Sequence, residues 1–192
     1  MIEIPFHNYF YSYFIPENKD KIIEHCFNAR TTGAELPWGE GCILEKKSLE
    51  VNGFIDLLKP SIKKFFNELT PNPVQITIDE MWMNTYRKGY FQEIHHHQYA
   101  DISFNIFLSD DAESNENFYF YNEMTRVMNE KFRDIFRAEE PGYLYMEDIW
   151  HLPQPEKGSI VFFPSYMLHG VSVQKTDEIR TTVSGNMVID KV

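Results

Sequence analysis

Basic residues are in short supply: 18 Lys and Arg stand against 29 Asp and Glu, a formal charge of −11, and no basic run occurs. Binding a phosphate backbone draws on clustered Lys and Arg, so this balance argues against nucleic acid as a partner. Cysteine is nearly absent. Cys26 and Cys42 are too few for a disulfide framework and are not spaced as a metal pair. A reducing cytoplasm (a host's, if the chain is viral) is the expected setting. Nothing approaches 18 consecutive apolar residues, so no membrane span is expected, and residues 1–13 lack the basic-then-apolar order of a secretory signal. Internal repeats and low-complexity linkers are missing as well. The 192 residues, 1–192, therefore read as a single domain.

What is abundant is aromatic. The chain has 16 Phe and 11 Tyr, and 43% of its residues are hydrophobic, enough to build a sizeable core. Residues 1–74 read as a helical N-terminal part that packs on a sheet. Ile22, Ile23, Cys26 and Phe27 recur at helical spacing within 16–30, and Phe54, Leu57, Leu58, Ile62, Phe65, Phe66 and Leu69 do so within 51–69. Pro60 predicts a kink there or two shorter helices. Between them, 31–41 holds three Gly and one Pro and reads as a loop. Residues 75–192 read as a β core of short strands without intervening helices. In 75–86, alternation predicts one face for Ile76, Ile78, Glu80, Trp82, Asn84 and Tyr86; in 101–109 it predicts one for Ile102, Phe104, Ile106 and Leu108. Further strands are predicted over 118–121, 159–163, 168–173 and 179–189. The segment 122–156 reads as an insertion with a helix near 124–136, shaping the mouth of a site. The pattern predicts a mainly β fold with flanking helices, its antiparallel sheets closed into a sandwich or barrel.

Three of the seven histidines stand together at 95–97. In a strand, residues two apart share a side, so His95 and His97 converge on one ion while His96 faces away. Imidazole suits iron, zinc, copper and nickel. His169 follows a strongly apolar strand and is the candidate third ligand; His7, His25 and His151 have no comparable setting. Arg180 lies eleven residues further on, past the polar turn 174–178. A hairpin across that turn would set it beside the strand of His169. Pointing inward, it would be a buried cation in need of an anion, and its planar fork suits a carboxylate; pointing outward, it would pair with Asp177 or Glu178. Alternation places Thr182, Ser184 and Asn186 on its side.

The run from Trp82, Asn84 and Gly89 to His95 and His97 is one of three motifs. The second is Pro155, Gly158, an apolar stretch, Pro164, Ser165 and His169; the third is Arg180 to Asn186. Together they resemble the iron(II)/2-oxoglutarate-dependent oxygenases, and most closely a group of these found in marine bacteria and their phages. The resemblance implies a double-stranded β-helix (a cupin-like jelly roll). It implies Fe(II) held by His95, His97 and His169, and 2-oxoglutarate gripped by Arg180, with Tyr86, Asn84, Thr182 and Asn186 as further co-substrate contacts. Where the family usually has a carboxylate as second ligand this chain has His97, and Asp101 is the alternative if the strand bulges. The implied activity is a dioxygenase that turns 2-oxoglutarate into succinate and carbon dioxide while hydroxylating a protein side chain or a metabolite, with ascorbate in support. A cupin-like metal- or ligand-binding jelly roll without oxidative activity is the competing expectation. A zinc hydrolase with Glu93 as base ranks lower. Phe118 to Tyr121, Tyr143, Tyr145 and Trp150 read as an exposed aromatic set, fit to clasp a substrate or to form a homodimer.

Overall fold

The computed structural model describes residues 10–31, 44–123, 149–152 and 155–191. In chain order these form β1 (Ser12–Phe14), α1 (Lys19–Asn28), β2 (Glu45–Leu49), α2 (Phe54–Leu69), β3 (Val74–Tyr86), β4 (Gln92–His95) and β5 (Ile102–Phe107). After the single turn α3 (Ala112–Asn115) come β6 (Phe118–Tyr121), β7 (Ile149–His151), β8 (Ile160–Pro164), β9 (His169–Val171) and β10 (Arg180–Lys191). The larger sheet has the order β1-β8-β5-β10-β3-β2 and the smaller one β4-β9-β6-β7. Every pairing is antiparallel. This is the double-stranded β-helix architecture, mainly β with flanking helices. No helix among the described residues is long and apolar enough to cross a membrane.

Period-2 alternation sorts the larger sheet into two environments. On one side Ile102, Phe104 and Ile106 of β5, Ile160 and Phe162 of β8, and Val183 and Met187 of β10 meet the helices. The helices answer with Ile22 and Cys26 of α1 and with Phe54, Leu58, Ile62, Phe65 and Phe66 of α2, the stripe that helical spacing predicts. Burial there pushes the Cys26 thiol up to about 12, so it is a packing residue rather than a reactive one. Facing the other way, Val161 and Phe163 of β8 and Phe107 of β5 meet Phe118, Phe120 and Val171 of the smaller sheet. Strand β8 is apolar on both faces because both are covered, and all five of its residues are buried.

Four expectations need correction. The N-terminal third is not only helical, since β1 and β2 form the two edges of the larger sheet. Short strands with mixed composition, such as the Glu-Lys-Lys-Ser-Leu of β2, carry no clear alternation to betray them. Helix α2 runs unbroken through Pro60; the lost hydrogen bond falls to the carbonyl of Asp56, which is exposed and open to water. The single face expected for 75–86 is in fact two. Asn186 pairs with Glu80 and Met187 with Ile78, so Asp79 is an extra residue, a bulge that reverses the alternation. Ile76 and Ile78 before it pack toward the helices, as do Met81 and Met83 after it, while Trp82, Asn84 and Tyr86 face the other way. Finally, Phe118, Tyr119 and Phe120 are buried rather than exposed. The helix expected near 124–136, Tyr143 and Tyr145 lie outside the described residues. β7, from the end of the expected insertion, pairs with β6.

The centre of β10 tolerates no side chain at Gly185. A Cβ there would lie 2.5 Å from the Phe104 ring and 2.9 Å from the Glu80 carbonyl oxygen. Gly185→Ala should therefore destabilise the protein by about 1–3 kcal/mol, the usual range for overpacking a core, read as a lower midpoint in urea unfolding.

Candidate metal centre

The smaller sheet delivers the histidines. β4 pairs with β9 so that His95 stands opposite His169. His97 lies just past β4, its backbone N–H donating to the Ser165 carbonyl at 2.9 Å, which ties this segment to the turn leading into β9. One ring nitrogen from each of the three lies within 4.8 Å of the others. His97 Nε2 and His169 Nε2 are 3.3 Å apart. Two nitrogens sharing one ion at about 2.1 Å each lie at most about 4.2 Å apart, so a small inward movement of the widest pair completes a three-nitrogen site. Burial, followed by the nearness of the other imidazoles, holds His169 well below its ordinary pKa and His97 at about 3. Burial lowers His95 as well, its bond to the Glu93 carbonyl partly opposing this. Neutral imidazole is the form that ligates metal.

Second contacts orient two of the rings. His95 Nδ1 donates to the Glu93 carbonyl and His169 Nδ1 to the Met167 carbonyl, both at 2.9 Å, which leaves the Nε2 lone pair of each directed at the shared centre. Phe163, at 4.8 Å between ring centroids, and Phe118, at 5.9 Å, wall in His169. Trp82 stacks on His97 at 5.5 Å.

The larger sheet supplies the opposite wall. Arg180 is fully buried, and its Nε, Nη1 and Nη2 have no hydrogen-bond partner. Its guanidinium lies 4.8 Å from the centroid of the Tyr86 ring, its cross-strand partner. Burial lowers its pKa, and the Tyr86 side chain opposes that shift. A buried guanidinium with an unused fork is a costly arrangement that a ligand carboxylate relieves. Asn84 Oδ1 and Trp82 Nε1 are also buried without a partner, and they line the same cavity as Arg180, Thr182, the three histidines and Gln92. The donor set fits a divalent transition metal beside a small dianion.

A family model described as "Putative 2OG-Fe(II) oxygenase" matches residues 80–186, more than half of the chain. The chain belongs to the 2OG-Fe(II) oxygenase family. Among solved structures, it is similar to the epimerase SnoN of nogalamycin biosynthesis (TM-score 0.61, 13% identity, 94% of this chain and 79% of that one). HygX from Streptomyces hygroscopicus, solved with nickel, 2-oxoglutarate and hygromycin B, gives a TM-score of 0.57 at 7% identity over 94% and 83%. The viral collagen prolyl hydroxylase of Paramecium bursaria Chlorella virus-1, in complex with 2-oxoglutarate, gives 0.56 at 12% identity over 92% and 94%. At these identities the likeness concerns the fold. No curated protein matches by sequence.

This oxygenase brings His95, His97, His169, Arg180, Asn84, Tyr86, Thr182 and Asn186 to one cavity. Asp101, the alternative to His97, is not there; its Oδ2 accepts from the Ile189 backbone N–H at 2.8 Å. Arg180 does not lie beside β9 as a hairpin would place it, because 172–179 carries the chain from the smaller sheet to the larger one; His169 and Arg180 line the same cavity from different sheets. Asp177 pairs with Lys88 instead. Glu93 does not line the cavity, because the β4–β9 register shifts between Gln92 and His95 and turns Gln92 inward. Sequence reasoning missed Gln92. Its Oε1 accepts from the Tyr86 hydroxyl at 2.7 Å and its Nε2 lies 3.2 Å from His95 Nε2, so it joins the two walls. Its only signal was polarity three residues before His95. Asn186 has its polar atoms engaged with Ser103, Glu80 and His97 rather than turned toward Arg180.

A buried cation compensated only by ring contacts with Tyr86 and Phe107 opposes folding. Arg180→Met should therefore raise the stability of the ligand-free protein by about 1–3 kcal/mol, measured by chemical unfolding, although it deletes a polar group from a binding site.

Proposed function

We propose that this oxygenase binds iron(II) through His95, His97 and His169 and 2-oxoglutarate through Arg180, and that it hydroxylates a protein side chain or a small molecule. One observation carries the reading: three converging, neutral imidazoles and a buried guanidinium without a hydrogen-bond partner share one cavity. Neither feature is stable on its own account. Burying the guanidinium costs free energy that only an anion returns, and an ordinary core would replace three clustered histidines with apolar residues.

The chain's own residues bind, orient and shield. Arg180 would offer two parallel N–H groups to the distal carboxylate of 2-oxoglutarate, with the Tyr86 ring centroid 4.8 Å from its guanidinium carbon. The Tyr86 hydroxyl is anchored on Gln92, so the ring cannot drift. Thr182 and Asn84 line the wall beside this anchor. Phe118 and Phe163 keep water from the His169 side. Iron(II) with 2-oxoglutarate and dioxygen supplies the oxidising chemistry that the side chains lack. Hydroxylation is the outcome supported by the likeness to a collagen prolyl hydroxylase, while the likeness to HygX, solved with hygromycin B, keeps a small-molecule substrate in view.

Aerobic incubation with iron(II), ascorbate and 2-oxoglutarate should yield succinate even without a prime substrate. His169→Ala and Arg180→Ala should each lower that rate to background, whereas Asp101→Asn should keep it. Tightly held zinc with no turnover under any condition would replace this reading with a non-oxidative, metal-binding jelly roll.

A further inference from the structure

Asn186 stands between a carboxylate and an imidazole. Its Nδ2 lies 2.7 Å from Glu80 Oε1 and 3.1 Å from His97 Nδ1, and its Oδ1 accepts from Ser103 Oγ at 2.7 Å. A carboxylate can only accept, so the amide atom facing it has to be the nitrogen. That nitrogen offers its second N–H to His97 Nδ1, which must then be the bare, accepting nitrogen of the ring. The ring proton is left on Nε2, 3.3 Å from His169 Nε2. His169 can accept it, because its own proton is on Nδ1, bound to the Met167 carbonyl. Donor and acceptor roles close without conflict from Glu80 through to Met167.

His95 and His169 thus turn a lone pair toward the common centre, and His97 turns a proton. Ligation uses a lone pair, so His97 must first carry its proton on Nδ1, where the Asn186 amide meets it donor to donor. We propose that Glu80, acting through Asn186, holds His97 in its non-ligating tautomer and so sets the metal affinity of the centre. His97 is then the adjustable ligand and Glu80 a positioning residue. The inference rests on the three-histidine reading above. The change conserves protons: one leaves Nε2 and one returns at Nδ1, while the Asn186 amide rotates so that Oδ1 receives the new N–H. Nδ2 then faces Ser103 Oγ, which can accept from it and still donate to Ser165 Oγ at 2.8 Å. Only Glu80 loses its donor, and being exposed it can turn to water.

Glu80→Gln is the informative variant, since an amide side chain can donate to the rotated Asn186 as readily as accept from the unrotated one. Loss of a negative charge by itself weakens attraction for a divalent cation, so Asp79→Asn, the same charge change on an exposed neighbour, sets the baseline. Nickel(II) titration of the metal-free proteins should show Glu80→Gln binding about tenfold more tightly than Asp79→Asn. Long-range proton–nitrogen NMR of the metal-free proteins should place the His97 proton on Nε2 in the wild type and shift it toward Nδ1 in Glu80→Gln. Equal affinities for the two variants, or a wild-type His97 already protonated on Nδ1, would overturn the inference while leaving the metal centre standing. Failure of every protein, wild type included, to bind nickel(II) would remove the metal centre and this inference together.

Discussion

Strand β10 lies between β3 and β5, so its backbone is hydrogen-bonded on both edges and each side chain must go either to the helices or to the cavity. Val183 and Met187 take the helix side; Arg180, Thr182, Ser184 and Asn186 take the other. A polar stripe in the middle of a buried sheet is costly unless its members find partners. Ser184 does so by donating to Asn105 and accepting from Asn84, and Asn186 does so through Ser103 and Glu80. The Arg180 guanidinium finds none. The unsatisfied polar atoms of the cavity wall are thus the Arg180 guanidinium, Asn84 Oδ1 and Trp82 Nε1.

The smaller sheet meets that stripe with short, specialised strands. β9 has only three residues, and its histidine is fixed by what surrounds it rather than by strand length. The Met167 carbonyl holds the ring from one side and two phenylalanines enclose it. The link from the His97 backbone to Ser165 joins the segment after β4 to the turn before β9, so the three imidazoles come from two pieces of chain stitched close to the site itself. Precision here is local, which suits a centre that must hold an ion to within fractions of an ångström.

Much of this was legible before any coordinates. The i, i+2 spacing of His95 and His97, the isolated polar His169 at the mouth of an apolar strand and the downstream Arg180 marked residues that share one cavity, although His97 lies just past β4 and Arg180 reaches the cavity from the other sheet rather than through a hairpin with β9. The apolar faces of 102–108 and 54–66 were equally plain. What escaped reading depends on register. The bulge at Asp79 and the shift before His95 each move one residue relative to its partner, and nothing in composition marks either. They redirected Ile76, Ile78, Glu93 and Gln92. The edge strands β1 and β2 escaped because an edge needs only backbone pairing and leaves little pattern in its side chains. The role of Asn186 could not be read at all, since its partners at 80, 97 and 103 are brought together only by folding.

The extra residue at position 79 has a consequence of its own. It exchanges which positions of β3, even or odd, face the helices, and the exchange is completed at one peptide unit. The same strand therefore gives the helices Ile76 and Ile78 at even positions and Met81 and Met83 at odd ones, which frees the even positions 82, 84 and 86 for the cavity.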